Sequence, residues 1–480
     1  MSMYKHGISV SELPTSVVPP VVASAGLPVV IGTAPLHKAV SPVQAGKPVL
    51  AYSYAEAVQA LGYSDDFSSY SLCEFIDSHF RLFAASPAVL LNVLDPEIHY
   101  TTVTNQNMAL IAGTVTISED GVLCDTLELA LEGAGTALVA GQDYFVTQSK
   151  NEVKISCIPD GSINSDTAVL VASYRKLNPE AVSANDIIDA IAAVDEVFPR
   201  FRLVPGVLVA PQWSANPAVA AALTAKAESI NSMFKAIALL DIPTEGVNAV
   251  TNYSNVAAYK NASMPHSAHA VACWPKVTLA GSKYCLSTQM AGVIVRTDAL
   301  NGDIPFVSPS NKALRTDGAS TGSGDAQSTV ALGPDVAAYL NSQGIVTALN
   351  FIGGWVLWGN RTALYPASSD PVEAFIAVRR MMNWINNSLI LTFWQKVDDP
   401  MNRNLVESVV DSANIWLNGL VARGAVLGGR CEFRPEENPI TSLMDGIIRV
   451  HLFVTPPSPA REIEFLVEYD PQYLSTLSGE

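Results

Sequence analysis

The sequence predicts a multidomain protein of mixed α/β architecture, in which a core sheet flanked by helices carries an inserted all-β barrel or sandwich domain and an extended β arm at each end. Short apolar strands alternate with helical segments between residues 204 and 358, which is typical of a largely parallel sheet. Residues 98–178 instead show successive strands without helical periodicity. Near both ends, alternating apolar residues have no neighbouring strand in sequence with which to pair.

These patterns divide the chain into six predicted segments. A length of 480 residues corresponds to about three domains of ~150 residues each. The segments are an N-terminal arm (1–22), a first part of the core (23–96), the inserted β domain (97–180), an α/β core domain (181–345), a C-terminal inner domain (346–459) and a C-terminal arm strand (460–480).

Residues 1–22 have the composition of a docking arm. Residues 7–11 alternate apolar and polar side chains as a strand does, and the prolines at 14, 19 and 20 exclude a helix or a central strand beyond them. The apolar residues of the arm are Ile8, Val10, Leu13, Val17 and Val18. A frayed terminus is the alternative, but so many apolar side chains favour an arm that binds another surface.

The first part of the core and the β insert follow. An apolar strand at 27–32, helical patterns at 54–61 and 70–83, and a nearly all-apolar strand at 88–94 predict a sheet covered on both faces. In the insert, Asp120-Gly121 is a strong hairpin signal between strands at 110–118 and 122–130. Further strands are predicted at 143–148, 153–157 and 168–174.

From residue 183 the periodicity becomes helical again. Ser183 and Asp186 form a start that resembles a capping box, and the helix is predicted to end at Pro199. Strands are then predicted at 204–210, 236–242, 268–273, 346–351 and 355–358. Helices are predicted at 217–233, near 247–259, near 285–298 and at 335–343, with a polar loop at 317–328.

Two long helices and two strands end the chain. Asp370 and Pro371 are typical of a helix N-terminus, and apolar residues then recur at every third or fourth position, namely Phe375, Val378, Met382, Ile385 and Leu389. A second helix is predicted at 402–423 and a strand at 448–454. In the last strand, Ile463, Phe465, Val467 and Tyr469 alternate with Glu462, Glu464 and Glu468, and no local partner strand follows.

The composition excludes several classes of protein. Charged residues make up 15% of the chain against about 25% in ordinary domains, and 28 basic against 45 acidic residues argue against nucleic-acid binding. No apolar run approaches the ~20 residues of a membrane span, and we expect no signal peptide because no apolar h-region follows the first residues. A sparsely charged surface predicts extensive contact with other protein.

Motifs for catalysis or cofactor binding are weak, so we expect no enzyme activity, no cofactor and no metal site. Neither a phosphate loop nor a dinucleotide fingerprint is complete. Ser320 lies in a GxSxG string but within a polar loop, where a nucleophile elbow requires a strand and a helix. His266 and His269 lack a neighbouring cysteine or acid.

An ordered set of segments resembles the contractile tail sheath proteins of bacteriophages and phage-tail-like particles. The start, Gly7, Ile8, Val10 and Glu12, is similar to the family's opening, with His6 where a proline is common. The segment Trp358-Gly359-Asn360-Arg361-Thr362 resembles a second family motif, and Arg379-Arg380, Gly428-Gly429 and the strands at 445–469 follow in the same order.

The resemblance implies a structural subunit that forms stacked hexameric rings around a tail tube and contracts without nucleotide to drive the tube through the host envelope. It implies partners in the tube, baseplate and tail terminator proteins, and a place in the virion tail after assembly in the host cytoplasm. Terminal arms would be exchanged as strands between neighbours. The implied contact residues are Gly7, Ile8, Val10, Glu12, Leu13 and Val17 in one arm and Ile463, Phe465, Val467 and Tyr469 in the other.

Two other interpretations stay open at this stage. The first is a soluble α/β enzyme with a β insertion, such as a dehydrogenase or hydrolase. The second is another self-assembling shell or surface-layer protein. Arg361, Arg379 and Arg380 are equally compatible with subunit contacts and with ion pairs inside the body.

Overall fold

The fold was analysed in a computed structural model, which describes residues 20–133, 137–149, 152–159, 161–163 and 169–478. The predicted contact residues Gly7, Ile8, Val10, Glu12, Leu13 and Val17 lie outside the described residues.

The described chain contains strands and helices throughout. The strands are β1 Pro28–Gly32, β2 Pro48–Ala51, β3 Ala88–Asn92, β4 Tyr100–Ala109, β5 Thr114–Ile117, β6 Glu128–Leu131, β7 Tyr144–Ser149, β8 Glu152–Cys157, β9 Val169–Leu177, β10 Val207–Val209, β11 Ile237–Asp241, β12 Ala270–Cys273, β13 Lys276–Leu279, β14 Ser282–Tyr284, β15 Lys312–Ala313, β16 Gly318–Thr321, β17 Ser328–Thr329, β18 Ile345–Asn350, β19 Trp355–Trp358, β20 Gly428–Phe433 and β21 Val450–Thr455. The α-helices are α1 Tyr54–Leu61, α2 Ser71–Ile76, α3 Ala184–Ile191, α4 Val197–Phe201, α5 Pro217–Glu228, α6 Tyr253–Ser263, α7 Leu286–Leu300, α8 Pro334–Ser342, α9 Pro371–Ala374, α10 Ile376–Phe393, α11 Arg403–Ala422 and α12 Ile440–Met444.

A nine-stranded sheet forms the centre of the molecule, in the order β15-β19-β18-β12-β11-β10-β1-β3-β2. Its six central strands are parallel, and the pairs at the two edges are antiparallel. Strands β1, β3, β10, β11 and β12 are buried at every position, as expected for a sheet covered by helices on both faces. The predicted mixed helix-and-sheet architecture is confirmed.

Strands β4 to β9 form two antiparallel sheets, in the orders β4-β9-β6 and β5-β8-β7. Their apolar side chains build a second core, which includes Leu129, Ile155 and Tyr174. Strand β4 shifts register between Val103 and Gln106 where it pairs with β9. The domain limits and the barrel or sandwich geometry predicted for this segment remain predictions.

The C-terminal part begins with α10 and α11, whose Trp384 and Trp416 rings lie 5.7 Å apart. Strands β20 and β21 then form an antiparallel hairpin against α11. Gly429 allows a close approach there, because a Cβ at this position would lie 3.1 Å from the Leu417 side chain, which would have to shift by a few tenths of an ångström. Residues 456–470 continue without regular secondary structure, and Pro471–Ser478 form a 3₁₀ helix.

Several element boundaries differ from the sequence predictions. The boundary at 345/346 falls within β18, which pairs with β12 in the central sheet. The polar segment 317–328 is not a loop throughout, because β16 and β17 pair within it. The helix predicted near 247–259 begins instead at Tyr253, where the Asn252 side chain accepts a hydrogen bond from Ser254 N. Pro199 lies within α4, in the first turn, where proline is tolerated.

Candidate assembly interface

The first described residues, which form the root of the N-terminal arm, lie along α10. Val21 exchanges two hydrogen bonds with the Thr392 hydroxyl, at 3.0 and 3.3 Å. Ala23 N donates to the Ser388 hydroxyl at 3.1 Å, and Ala23 O accepts from Trp384 Nε1 at 2.9 Å. Ala25 O accepts from Arg380 at 3.3 Å. Four helix side chains therefore satisfy the backbone of the arm root.

The spacing of these contacts follows from the two backbones. Positions 380, 384, 388 and 392 are four residues apart and lie on one face of the helix, about 6 Å apart along its axis. Two residues of extended chain span about 6.6 Å. From Val21 to Ala25 the arm root therefore matches the spacing of the four helix side chains.

The C-terminal arm is the opposite case, since its apolar side chains contact little of their own chain. Ile463, Phe465, Val467 and Tyr469 are 73–93% exposed. Within the described residues this segment belongs to no sheet. An exposed row of large apolar side chains is typical of a surface that another chain covers.

The β20–β21 hairpin has one covered edge and one open edge. The side chain of Asn414, on α11, donates to Cys431 O at 2.8 Å and accepts from Cys431 N at 2.7 Å. Cys431 therefore directs its backbone away from its cross-strand partner Leu452. By the same alternation Leu452 directs its own N–H and C=O outward, and no contact recorded for the described residues occupies this outer edge of β21.

The two faces of the hairpin differ in chemistry. Cys431 and Leu452 belong to the apolar cluster against α11. On the other face the Arg430 and Arg434 guanidinium groups lie 3.9 and 4.8 Å from the centre of the Phe453 ring. His451 stacks on the same ring at 4.3 Å. This second face, formed by Arg430, Arg434, His451 and Phe453, is called the cationic face below. Glu432 lies on the same side of the hairpin and pairs with Arg430 at 3.6 Å and with Arg434 at 2.5 Å.

The three arginines left open by the sequence have different environments. Arg380 is buried and pairs with the buried Asp298, so the subunit-contact alternative is wrong for this residue. Arg379 donates to Asn383 at 3.1 Å. Arg361 packs over the rings of Phe375 and Tyr365, and its buried Nη1 atom has no hydrogen-bond partner within the described residues.

The carboxyl edge of the central sheet is where α/β proteins usually bind ligands. Here Glu74 accepts a hydrogen bond from Cys285 N at 2.6 Å, and Asp241 accepts one from Ser287 N at 3.0 Å. Both carboxylates thereby cap the first turn of α7. Burial raises the pKa of both, and the charge of Lys276 opposes that shift. These acids therefore satisfy a buried helix terminus within the chain.

The candidates for catalysis are not assembled into a site. Ser320 lies in β16, is buried, and pairs through its backbone with Lys276 and Thr329. His269 Nδ1 contacts Ala236 O at 2.8 Å, whereas His266 contacts Asn261 O. In the described parts of the chain, no cluster of three or more potential metal ligands occurs and no helix has the length and apolarity needed to cross a membrane.

Sequence reasoning missed the arm-root ladder and the cationic face. The available signal for the ladder was Arg380, Trp384, Ser388 and Thr392 at four-residue spacing, which the apolar stripe on the same helix obscured. The cationic face had no signal in the sequence. Arg430 lies opposite Phe453 and Glu432 lies opposite His451, and both pairings depend on the strand register.

An exposed row of apolar side chains and an open sheet edge are both typical of structural proteins that associate with other chains. The comparisons with known proteins agree with this class. The chain is 27% identical over 500 residues to the tail sheath protein of Burkholderia phage BcepMu, and the match covers 99% of both chains. It is 28% identical over 402 residues to a putative prophage major tail sheath protein of Pseudomonas aeruginosa strain UCBPP-PA14, covering 78% of this chain and 97% of the relative.

Among solved structures, the chain is similar to the sheath of an extracellular contractile injection system in its contracted state, with a TM-score of 0.58, 12% identity and coverage of 98% of this chain and 99% of the other. At that identity the likeness concerns the fold alone. No family model matches the chain. The predicted resemblance to the contractile tail sheath family is confirmed by the similarity to phage and prophage tail sheath proteins, over 99% and 78% of this chain.

Proposed function

We propose that this protein is the sheath subunit of a contractile phage tail or of a related injection particle. The observation that carries the proposal is similarity to a phage tail sheath protein along 99% of both chains. In the proposed assembly, subunits form stacked hexameric rings around a tail tube. Contraction drives the tube through the host envelope, and the tube, baseplate and terminator proteins are the partners.

The proposed linkage between subunits is strand exchange. The exposed alternating segment 463–469 supplies one strand, and the open edge of β21 supplies a place for it. The N-terminal arm, with Gly7, Ile8, Val10, Glu12, Leu13 and Val17, supplies a second strand to another neighbour. Main-chain hydrogen bonds would hold each added strand.

The test is assembly of the purified subunit, viewed by negative-stain electron microscopy. The full chain is expected to form hollow cylinders, whereas sheets or closed capsules would indicate another shell protein. Deletion of residues 1–20 or of 460–480 is expected to leave a folded subunit that does not polymerise, because segment 463–469 buries little surface in its own chain. Normal cylinders from both truncations would contradict strand exchange.

The alternative of an α/β enzyme has less support from the geometry. Glu74 and Asp241 cap α7 within the chain, and Ser320 is buried in a sheet. Hydrolytic activity that is lost on Ser320→Ala, in a subunit that still forms cylinders, would add an enzymatic role to the structural one.

A further inference from the structure

We propose that the cationic face of the β20–β21 hairpin selects the orientation of the incoming C-terminal strand, by binding the acidic face of segment 462–469 from a second copy of this chain. The inference rests on the strand exchange proposed above. It adds the edge at which the strand pairs, the face that each side of the strand meets, and the side chains that decide between them.

The edge follows from backbone hydrogen bonding. Asn414 occupies the N–H and C=O of Cys431, in the middle of the outer edge of β20. A strand that paired there would have to displace this side chain and leave its amide without partners. The outward N–H and C=O groups of Leu452 carry no such cover within the described residues. The incoming strand is therefore assigned to the edge of β21.

The faces follow from the alternation of side chains. In segment 462–469 the apolar residues Ile463, Phe465, Val467 and Tyr469 occupy the odd positions. The even positions hold the carboxylates of Glu462, Glu464 and Glu468, with Leu466 between the last two. When a strand is added to a sheet, its odd-numbered side chains join one face of the sheet and its even-numbered side chains join the other. One orientation places the apolar side chains beside Leu452 and α11, and it places the carboxylates on the cationic face. The opposite orientation would expose the apolar row and bury the carboxylates against the apolar cluster, which costs free energy.

The position of the guanidinium groups explains how a strand beside β21 can reach charges that originate on β20. Arg430 extends across the sheet until its guanidinium lies 3.9 Å from the centre of the Phe453 ring, on β21. Neighbouring strands are about 4.8 Å apart, so this charge is within reach of carboxylates on the added strand. Arg434 lies on the same ring but pairs with Glu432 at 2.5 Å and with Glu437 at 3.5 Å. Arg430 pairs with Glu432 at the longer distance of 3.6 Å and its side chain is 62% exposed, so we assign it as the charge that a second chain can reach.

The charge balance of the region agrees with an acidic ligand strand. Residues 432–480 contain nine acidic residues and three arginines. In the exposed segment, Glu462 pairs with its neighbour Arg461, whereas no ion pair is recorded for Glu464 or Glu468 among the described residues. Pairing with Arg430 of a second copy would give one of these carboxylates an ion-pair partner that it lacks in the free subunit.

The experiment is a charge reversal with rescue, read as the critical concentration for cylinder formation by sedimentation and electron microscopy. Glu464→Arg with Glu468→Arg is expected to raise the critical concentration by about tenfold or more, because like charges then meet across the interface. Adding Arg430→Glu to this variant is expected to restore most of the loss. Glu97→Arg with Glu128→Arg changes the net charge equally at exposed sites elsewhere and serves as the control.

Two results would overturn the assignment: a double reversal no worse than the control, or a loss that Arg430→Glu does not restore. Arg430→Met, which keeps an apolar stem over Phe453, is a second variant that should itself weaken assembly, and thermal unfolding of the free subunit checks that each variant folds. If deletion of 460–480 leaves assembly intact, exchange of the C-terminal strand fails. If the deletion abolishes assembly but charge reversal does not affect it, only the present inference fails.

Discussion

At the level of single residues, Arg379 and Arg380 carry the same charge but have different partners in the structure. The adjacent Arg379 and Arg380 belong to one sequence motif, yet only Arg380 reaches Asp298, with both side chains at most 3% exposed. Burial raises the pKa of Asp298, and the charge of Arg380 opposes that shift. Removing either member of such a pair leaves an uncompensated buried charge. The pair therefore couples α10 to α7 and to the arm root.

His79 determines part of the acid sensitivity of the fold. It is fully buried and stacked on Phe75, with ring centres 4.9 Å apart, and burial lowers its pKa to about 3. Unfolded chains protonate this histidine below its ordinary pKa of 6.5, whereas the folded chain does not. The unfolding free energy that the lowered pKa of His79 contributes is therefore complete above pH 6.5. It is lost as the pH falls towards 3, at about 1.4 kcal/mol per pH unit.

The matching prediction concerns His79→Phe, which keeps an aromatic ring but cannot bind a proton. Between pH 6.5 and 4.5 the wild-type subunit should lose about 2–3 kcal/mol more unfolding free energy than this variant. Urea denaturation of the free subunit at the two pH values measures the difference. Equal losses in both proteins would show that His79 is protonated in the folded state.

At the level of elements, α10 serves as a platform for the arm root. Its apolar stripe was visible in the sequence, but its buried face also contains Asn383, Asn387 and Ser388. These polar side chains are favourable because each one satisfies backbone groups of an extended segment, including Lys235 N and Lys235 O for Asn387. Buried polar groups with partners cost little, whereas the same groups without partners would be unfavourable.

Removal of the ladder should loosen the arm root before it affects the body. Ser388→Ala with Thr392→Val removes the side-chain partners of Val21 and of Ala23 N, and each lost hydrogen bond should cost about 1 kcal/mol. Amide hydrogen exchange at Val21 and Ala23 is expected to rise about fivefold or more. Ser342→Ala, at an exposed hydroxyl in α8, is the control. Unchanged exchange at both amides would show that packing alone holds the segment.

At the level of the whole molecule, the net charge of −17 opposes the association of subunits. Subunits that carry the same net charge repel one another over about 30 Å at 0.01 M salt, but over only about 8 Å at 0.15 M. We therefore expect the critical concentration for polymerisation to fall when salt is raised across this range. Light scattering during a salt titration measures it. A critical concentration that rises steadily with salt would indicate that attractive charge pairs dominate between subunits.

Much of the architecture could be predicted because it depends on local patterns. The buried strands at 88–94, 236–242 and 268–273 are recognisable from apolar runs, and α1 from the helical pattern at 54–61. The β18 boundary was misplaced, since nothing local records which sheet a strand joins. Likewise, α9 and α10 were predicted as one helix, but Phe375 is extended where Arg361 pairs with it across a β-bridge.

The sequence by itself determined the secondary-structure periodicity, the shortage of charge, the alternation in segment 463–469 and the resemblance to tail sheath proteins, because each depends on residue type and spacing alone. The tertiary structure decided which arginine is internal, which hairpin edge is covered by Asn414 and which face holds Arg430 beside Phe453. Those features depend on strand register and on contacts between residues distant in sequence. A single-residue shift in register would exchange the two faces of the hairpin.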